Sequence, residues 1–190
     1  MVEGGPLVDR ERELTIIAES IDGAIAGRGA TLLIEGQAGI GKTSLLAAAR
    51  QLATTRGIAV VVAAGAVLER DFGFGLARQL FEPIVAGTPE PERRRLLSGA
   101  AQLAAPVVVP GDVDPLALQP IDQSAVVHGL YWATANLADG APLLVSVDDF
   151  QWADMPSLWF LSATSPAAWK GCLSFCSARY GAGRQRGMPR

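Results

Sequence analysis

Gly36-Gln37-Ala38-Gly39-Ile40-Gly41-Lys42-Thr43 matches the pattern G-x-x-x-x-G-K-[ST] at every fixed position. Its flanks supply the context that the pattern needs. Thr31 to Glu35 (TLLIE) reads as a buried strand, and Ser44 to Arg50 (SLLAAAR) as the opening of a helix. Glycines at 36, 39 and 41 permit backbone angles that side chains forbid, so consecutive amides can curl around an anion. The following helix adds its positive dipole end to the same place. Gly36, Gln37, Ala38, Gly39, Ile40, Gly41, Lys42, Thr43 and Ser44 are therefore candidate nucleotide-binding residues. Lys42 is expected to reach the outer phosphates, which makes it a catalytic candidate as well, and the Thr43 hydroxyl to ligate magnesium. The stretch predicts binding of a nucleoside triphosphate, with ATP and Mg as the ligands.

Working outward, the sequence alternates strand and helix. Leu14, Ile17, Ile21 and Ile25 fall on one face of a helix that opens within residues 7 to 14 and ends at Gly27 and Gly29. After the loop a helix is expected to run to about Thr55, then a second buried strand from Ile58 to Ala64. Strand, loop, helix, strand is the repeat of a wound parallel sheet. Phe72-Gly73-Phe74-Gly75 precedes a helix through Leu76, Leu80 and Ile84; its G-x-G follows no strand and carries no dinucleotide reading. Glu92 to Ala104 is read as one short helix with a solvated Arg93-Arg94-Arg95 face. Pro106 to Pro120 is read as a surface loop, in which the apolar run Val107-Val108-Val109 could touch the core without an assigned place. Asp122 or Ser124 is expected to cap a helix through Val127, Leu130, Tyr131 and Ala135, on which His128 is a surface or packing residue.

The second informative stretch is Pro142 to Asp149 (PLLVSVDD), an apolar strand ending in paired acids about 105 residues beyond the loop. This is the form of a Walker B motif. Asp148 is expected to bind magnesium, and Asp149 to orient or deprotonate an attacking water.

Bulk properties set the frame. The 190 residues suit one domain with a real core. Hydrophobic content of 49% with 18% charged fits an α/β domain with buried strands, and a net charge of -3 gives no general pull toward nucleic acid. There is neither a secretory signal nor a long apolar run for a membrane span, so a cytoplasmic location is expected. Cys172, Cys176 and the sole histidine, His128, fall short of a zinc ligand set.

Several stretches together resemble one family: Leu7 to Leu14 (LVDREREL), the phosphate loop, and Leu68 to Ile84 (LERDFGFGLARQLFEPI). His128 to Leu137 (HGLYWATANL) and Leu143 to Asp154 (LLVSVDDFQWAD), followed by Ser157-Leu158, complete the set. They resemble the AAA/STAND-type ATPase domain of the large ATP-binding LuxR-type transcriptional regulators. The resemblance implies an α/β P-loop NTPase, AAA+-like, with a parallel sheet wound with helices and the fourth strand lying between those of Walker A and Walker B. It also implies that the segment around Val8 to Arg10 lies near the adenine, so Val8 and Arg10 join the cofactor-binding candidates. Asp149 stands where many AAA+ enzymes carry glutamate. Trp152 and Asp154 match the motif and receive no chemical role beyond placing the loop after the strand.

After Leu161 the character changes: no Asp or Glu occurs beyond Asp154, while Pro166, Trp169 and several arginines appear. The domain is accordingly read as residues 1–162, truncated after the Walker B strand, with 163–190 an atypical tail. GC-rich codons for Ala163 to Tyr180, read out of frame, can spell an amphipathic helix, a Gly-Leu-Pro turn and a buried strand, so a frameshift near codon 163 is one explanation. Leu173 to Ser177 is the substitute available for the fourth strand, and residues past Tyr180 are expected to be disordered.

Three functions remain open at this level. One is an ATP-binding switch module of a LuxR-type regulator, with Mg-dependent binding and at most slow hydrolysis, since neither a sensor-1 residue nor an arginine finger is identified. The others are an independent P-loop kinase or NTPase and a non-functional fragment of such a regulator. ATP and ADP are the expected partners, with no direct DNA contact and no membrane. A full-length relative would carry the DNA-binding effector, and self-association is left open.

Overall fold

The computed structural model describes residues 9–70, 73–110, 122–163 and 172–179. Helix α1 (Glu11–Ile25) leads into strand β1 (Ala30–Gly36), and helix α2 (Lys42–Thr55) into strand β2 (Ala59–Ala64). Helices α3 (Gly75–Gly87), α4 (Glu90–Leu96), α5 (Ala105–Val108) and α6 (Gln123–Ala138) follow, with a 3-10 segment at Gly99–Ala104. Strand β3 (Leu143–Asp148), helix α7 (Met155–Ala163) and strand β4 (Cys172–Arg179) complete the described elements.

The strands form one parallel sheet in the order β1-β4-β3-β2. Alternation along β3 divides the core. Leu144 faces Ile17, Ile21, Leu45, Leu46 and Ala49 of α1 and α2. Leu143, Val145 and Val147 face α3, α5, α6 and α7 through Leu80, Phe81, Val108, Leu130 and Phe160. A strand covered on both sides must be apolar throughout, and Leu143 to Val147 are all buried. The Gln79 side chain accepts from the Ala64 amide (2.9 Å) and donates to the Ala64 carbonyl (3.1 Å). It thereby pairs backbone groups on β2, an edge strand of the sheet among the described residues.

β4 lies between β1 and β3, with Ala30 opposite Leu173 and Val147 opposite Cys176. The Leu173–Ser177 segment thus occupies the gap between the two motif-bearing strands, and their inner edges are paired. Residues 164–171 and 180–190, including Pro166 and the stretch past Tyr180, lie outside the described residues.

Two expectations need correction. The single helix over Glu92 to Ala104 is in fact two segments broken at Ser98-Gly99, where Gly99 adopts φ +63°. The Asn136 side chain donates to the Leu96 carbonyl (2.9 Å) and ends α4 there. The 3-10 segment then packs so tightly on α6 that a Cβ at Gly129 would stand 2.4 Å from the Ala104 nitrogen. The surface loop expected from Pro106 begins instead as α5, with Pro106 in its first turn and Val107 and Val108 buried in the core. Residues 111–121 of that loop are outside the described set. The first helix opens at Glu11, within residues 7 to 14, with Arg10 at its N-cap.

Candidate functional site: a phosphate loop facing a held carboxylate

The loop between β1 and α2 takes the shape its glycines allow, with Gly39 at φ +79° and Gly41 at φ +91°. A Cβ on Gly36 would meet Ile40 Cγ2 at 2.9 Å, so the turn is closed by that small residue. Lys42, buried at 8% exposure, donates from Nζ to the carbonyls of Gly36 (2.9 Å) and Gln37 (2.8 Å). Its ammonium is parked inside its own loop, satisfied by backbone oxygens.

Across the cleft, Thr43 Oγ1 donates to Asp148 Oδ2 at 2.7 Å. The other carboxylate oxygen, Oδ1, accepts from the Asp149 amide (2.9 Å) and from the Ser177 hydroxyl. Burial works to raise the Asp148 pKa; the hydrogen bonds from Ser177, Thr43 and the Asp149 amide, with the Arg50 charge, outweigh it and hold the carboxyl below its ordinary value. Ser177 is fully buried, and its hydroxyl also accepts from the Asp149 amide at 3.1 Å. It lies near the end of β4, beside Asp148 and Asp149. Sequence reading missed it because a lone serine in an atypical tail carries no motif.

Asp149 sits at φ 47°, ψ 41°, a left-handed conformation that is uncommon outside glycine and asparagine. Its Oδ1 accepts from Gln151 Nε2 at 2.9 Å. Gly65, just past β2, makes room for this turn: a Cβ there would fall 2.5 Å from the Asp149 carbonyl oxygen and 3.2 Å from Trp152.

Asp154 is more than a spacer. At 3% exposure its carboxylate accepts from the amides of Phe74 (2.7 Å), Leu76 (3.4 Å) and Ser157 (2.9 Å). The Ser157 hydroxyl accepts from Ala77 N at 3.2 Å. One buried pair of side chains thus satisfies amides at the starts of both α3 and α7, and anchors the segment after β3. It also holds Phe74 at φ 65°. The residue was legible as part of a motif; its partners, some 80 residues away, were not.

Arg10 meets the loop directly, donating from Nη2 to the Ile40 carbonyl (2.8 Å) and from Nη1 to Glu13 (2.6 Å). Val8 lies outside the described residues. Arg10 and Glu13 also line a cleft of about 290 Å³ with Ile17, Leu33, Glu35 and Leu45, alongside β1. A larger cleft of about 530 Å³ runs between α1 and α2, away from the loop. The charged residue in its lining, Arg56, is paired to Asp22 (2.9 Å) and to the Ala18 carbonyl (3.0 Å), so it offers little chemistry.

The donor set can be tested against magnesium. Mg²⁺ prefers oxygen ligands, keeps several waters and takes one or two protein side chains alongside substrate phosphates. Thr43 Oγ1 and Asp148 Oδ2 are hard oxygens brought together beside the phosphate loop, and they fit that demand. Among the described residues no cluster of three or more His, Cys, Asp or Glu offers a denser cage. No helix among them is long and apolar enough to cross a membrane.

Comparison with known proteins agrees with this geometry. The sequence profile of the family described as AAA ATPase domain matches residues 6–170. A stretch of 43 residues is 56% identical to an uncharacterized protein of Rhizobium meliloti (strain 1021), covering 23% of this chain and 4% of that relative's length.

Proposed function

This chain belongs to the AAA ATPase domain family, and we propose that it is the Mg-dependent ATP-binding switch module of a LuxR-type transcriptional regulator, hydrolysing ATP slowly at most. The family membership itself carries nucleotide binding of the ATPase kind. The observation that carries the proposal is the 2.7 Å hydrogen bond between Thr43 and Asp148, which joins the two nucleotide motifs at one point.

The residues divide the work as follows. Lys42 leaves the Gly36 and Gln37 carbonyls and moves its ammonium to the outer phosphates, a short step for a flexible four-carbon stem. Amides from Gly39 to Thr43 and the start of α2 receive the phosphate oxygens. Thr43 and Asp148 are the residues that would hold the metal, through Oγ1 and Oδ2. Magnesium held there would supply charge neutralisation for the phosphates. Ser177 and the Asp149 amide keep Asp148 aimed at Thr43. Asp149 orients water, with a carboxylate shorter than glutamate and engaged by Gln151. That reach, together with the lack of an identified arginine finger, supports slow turnover.

The apolar wall of the cleft alongside β1, formed by Ile17, Leu33 and Leu45, is the place we assign to the base. The regulator context rests on the motif set quoted above. The Rhizobium meliloti relative, of which the matched stretch is 4%, is the kind of long polypeptide in which such a module would sit. DNA contact is assigned to the effector of the longer protein and not to these residues.

The test is calorimetric titration of the purified chain with ATP and ADP, with and without Mg²⁺, alongside Lys42→Ala. Mg-dependent binding abolished by the substitution, with turnover well below one per second, is the expected result. Rapid hydrolysis or phosphorylation of a small acceptor would sink the switch reading.

A further inference from the structure

The Ile40-Gly41 peptide is the one whose direction matters most to a bound phosphate. It ends on Gly41, a glycine at φ +91°, and Ile40 itself follows Gly39 at φ +79°, so the permissive backbone on either side of Ile40 does not by itself set which way the Ile40 carbonyl points. In a trans peptide the C=O and N–H point in opposite directions. Whatever holds the Ile40 oxygen on one side therefore aims the Gly41 amide at the other.

Arg10 holds that oxygen. Its Nη2 donates to Ile40 O at 2.8 Å, while Nη1 is fixed on Glu13 Oε1 at 2.6 Å, one helical turn along α1. The guanidinium is a planar fork, so engagement at both ends determines its orientation more firmly than one contact would. The loop carbonyls are thus turned onto cations: Gly36 and Gln37 onto Lys42, Ile40 onto Arg10. Lys42 is needed by the phosphates once they bind. Arg10 reaches the loop from α1, outside the strand-loop-helix unit, and can keep its grip when ligand arrives.

We propose that Arg10, braced by Glu13, is a positioning residue for the phosphate loop: by holding the Ile40 carbonyl it aims the Gly41 amide at the bound phosphate. The resemblance places the Val8 to Arg10 segment near the adenine, and on that basis the arginine would act on the base. The hydrogen bond to Ile40 assigns its charged head to the phosphate end. This inference rests on the nucleotide-binding reading above and deepens it.

The experiment uses the full chain and two probes, ATP and inorganic tripolyphosphate, titrated in Mg²⁺. Arg10→Ala is expected to weaken both by a similar factor, about tenfold, in line with one charge-assisted hydrogen bond. Arg10→Lys should recover part of the loss on both probes. Glu13→Gln, which leaves the arginine in place with a weaker brace, should give a smaller loss on both and serves if Arg10→Ala folds poorly by circular dichroism. Loss on ATP with tripolyphosphate unchanged would overturn the proposal in favour of base contact, and so would unchanged binding of both in Arg10→Ala and Glu13→Gln. Wild-type chain that binds tripolyphosphate but not ATP would overturn the ATP reading alone, leaving Arg10 to be judged on the phosphate probe. Wild-type chain that binds neither would overturn both.

Discussion

Thr43 and Asp148 are separated by 105 residues of chain and joined by a 2.7 Å hydrogen bond from the threonine hydroxyl to the carboxylate. The contact forms because β4 spaces β1 from β3 by one strand, which brings the start of α2 over the end of β3. If these two oxygens take a magnesium ion, removing either should cost metal-dependent affinity and nothing else. Thr43→Ala and Asp148→Asn are each expected to weaken ATP roughly tenfold in Mg²⁺, with little change in EDTA, and Thr43→Ser to behave as wild type. Equal losses with and without metal would refute the assignment.

Lys42 makes the corresponding test at the phosphates. Its ammonium is buried and bonded to the loop carbonyls of Gly36 and Gln37, so its removal leaves those oxygens without their cation as well as the ligand. Lys42→Ala should weaken ATP by at least about thirtyfold, the range expected for hydrogen bonds to a charged group. A melting curve close to wild type would show that the loss is local.

Asp154 carries a stability prediction. Its carboxylate satisfies amides at the heads of two helices, so Asp154→Ala strips two caps at once. The expected loss is roughly 2–4 kcal/mol, read from urea unfolding. Asp154→Asn keeps an acceptor and should lose less than half as much.

Gly65→Ala places a methyl group 2.5 Å from the Asp149 carbonyl oxygen, a backbone atom that cannot swing aside. Destabilisation of about 1–3 kcal/mol is expected from such overpacking. ATP turnover, if measurable in the parent, should fall further than binding, because the displaced residue is the one assigned to water.

Asp122 sets a pH dependence. Its carboxyl accepts from the Ser124 hydroxyl and from the amides of Ala125 and Ser124 at the head of α6, and these hold its pKa below the ordinary carboxylate range. A depressed folded-state pKa contributes stability that is present above the unfolded value near 4 and lost as pH falls through the folded value. Urea midpoints measured from neutral pH down through this window should fall less steeply for Asp122→Asn than for wild type. At neutral pH the two should be close, since asparagine also caps. Parallel slopes would argue against the cap as their source.

Much of this was legible along the chain. The loop from Gly36 to Thr43 could be read because its chemistry is contiguous: phosphate binding of this kind uses consecutive amides, so one short stretch holds most of the information. β3 was legible because a strand buried on both faces must be apolar from end to end, and the acids at its close stand out. The cap of α6 was legible to within two residues, as Asp122 or Ser124, for the same local reason. None of these required knowing what lies opposite.

What the tertiary structure alone decided are relations between distant segments. Which serine supports Asp148 depends on the register of β4 against β3, and a sequence of alternating residues does not announce its register. That Val107 and Val108 enter the core, after a run punctuated by proline, depends on α6 offering Gly129 as a landing surface for the preceding segment. Asp154 finds its amides, and Arg10 its carbonyl, only once α3 and α1 have packed against the sheet. The physical reason is common to all four. A side-chain hydrogen bond or an apolar contact is made over about 3–4 Å in space, whereas propensity and periodicity report on neighbours along the chain.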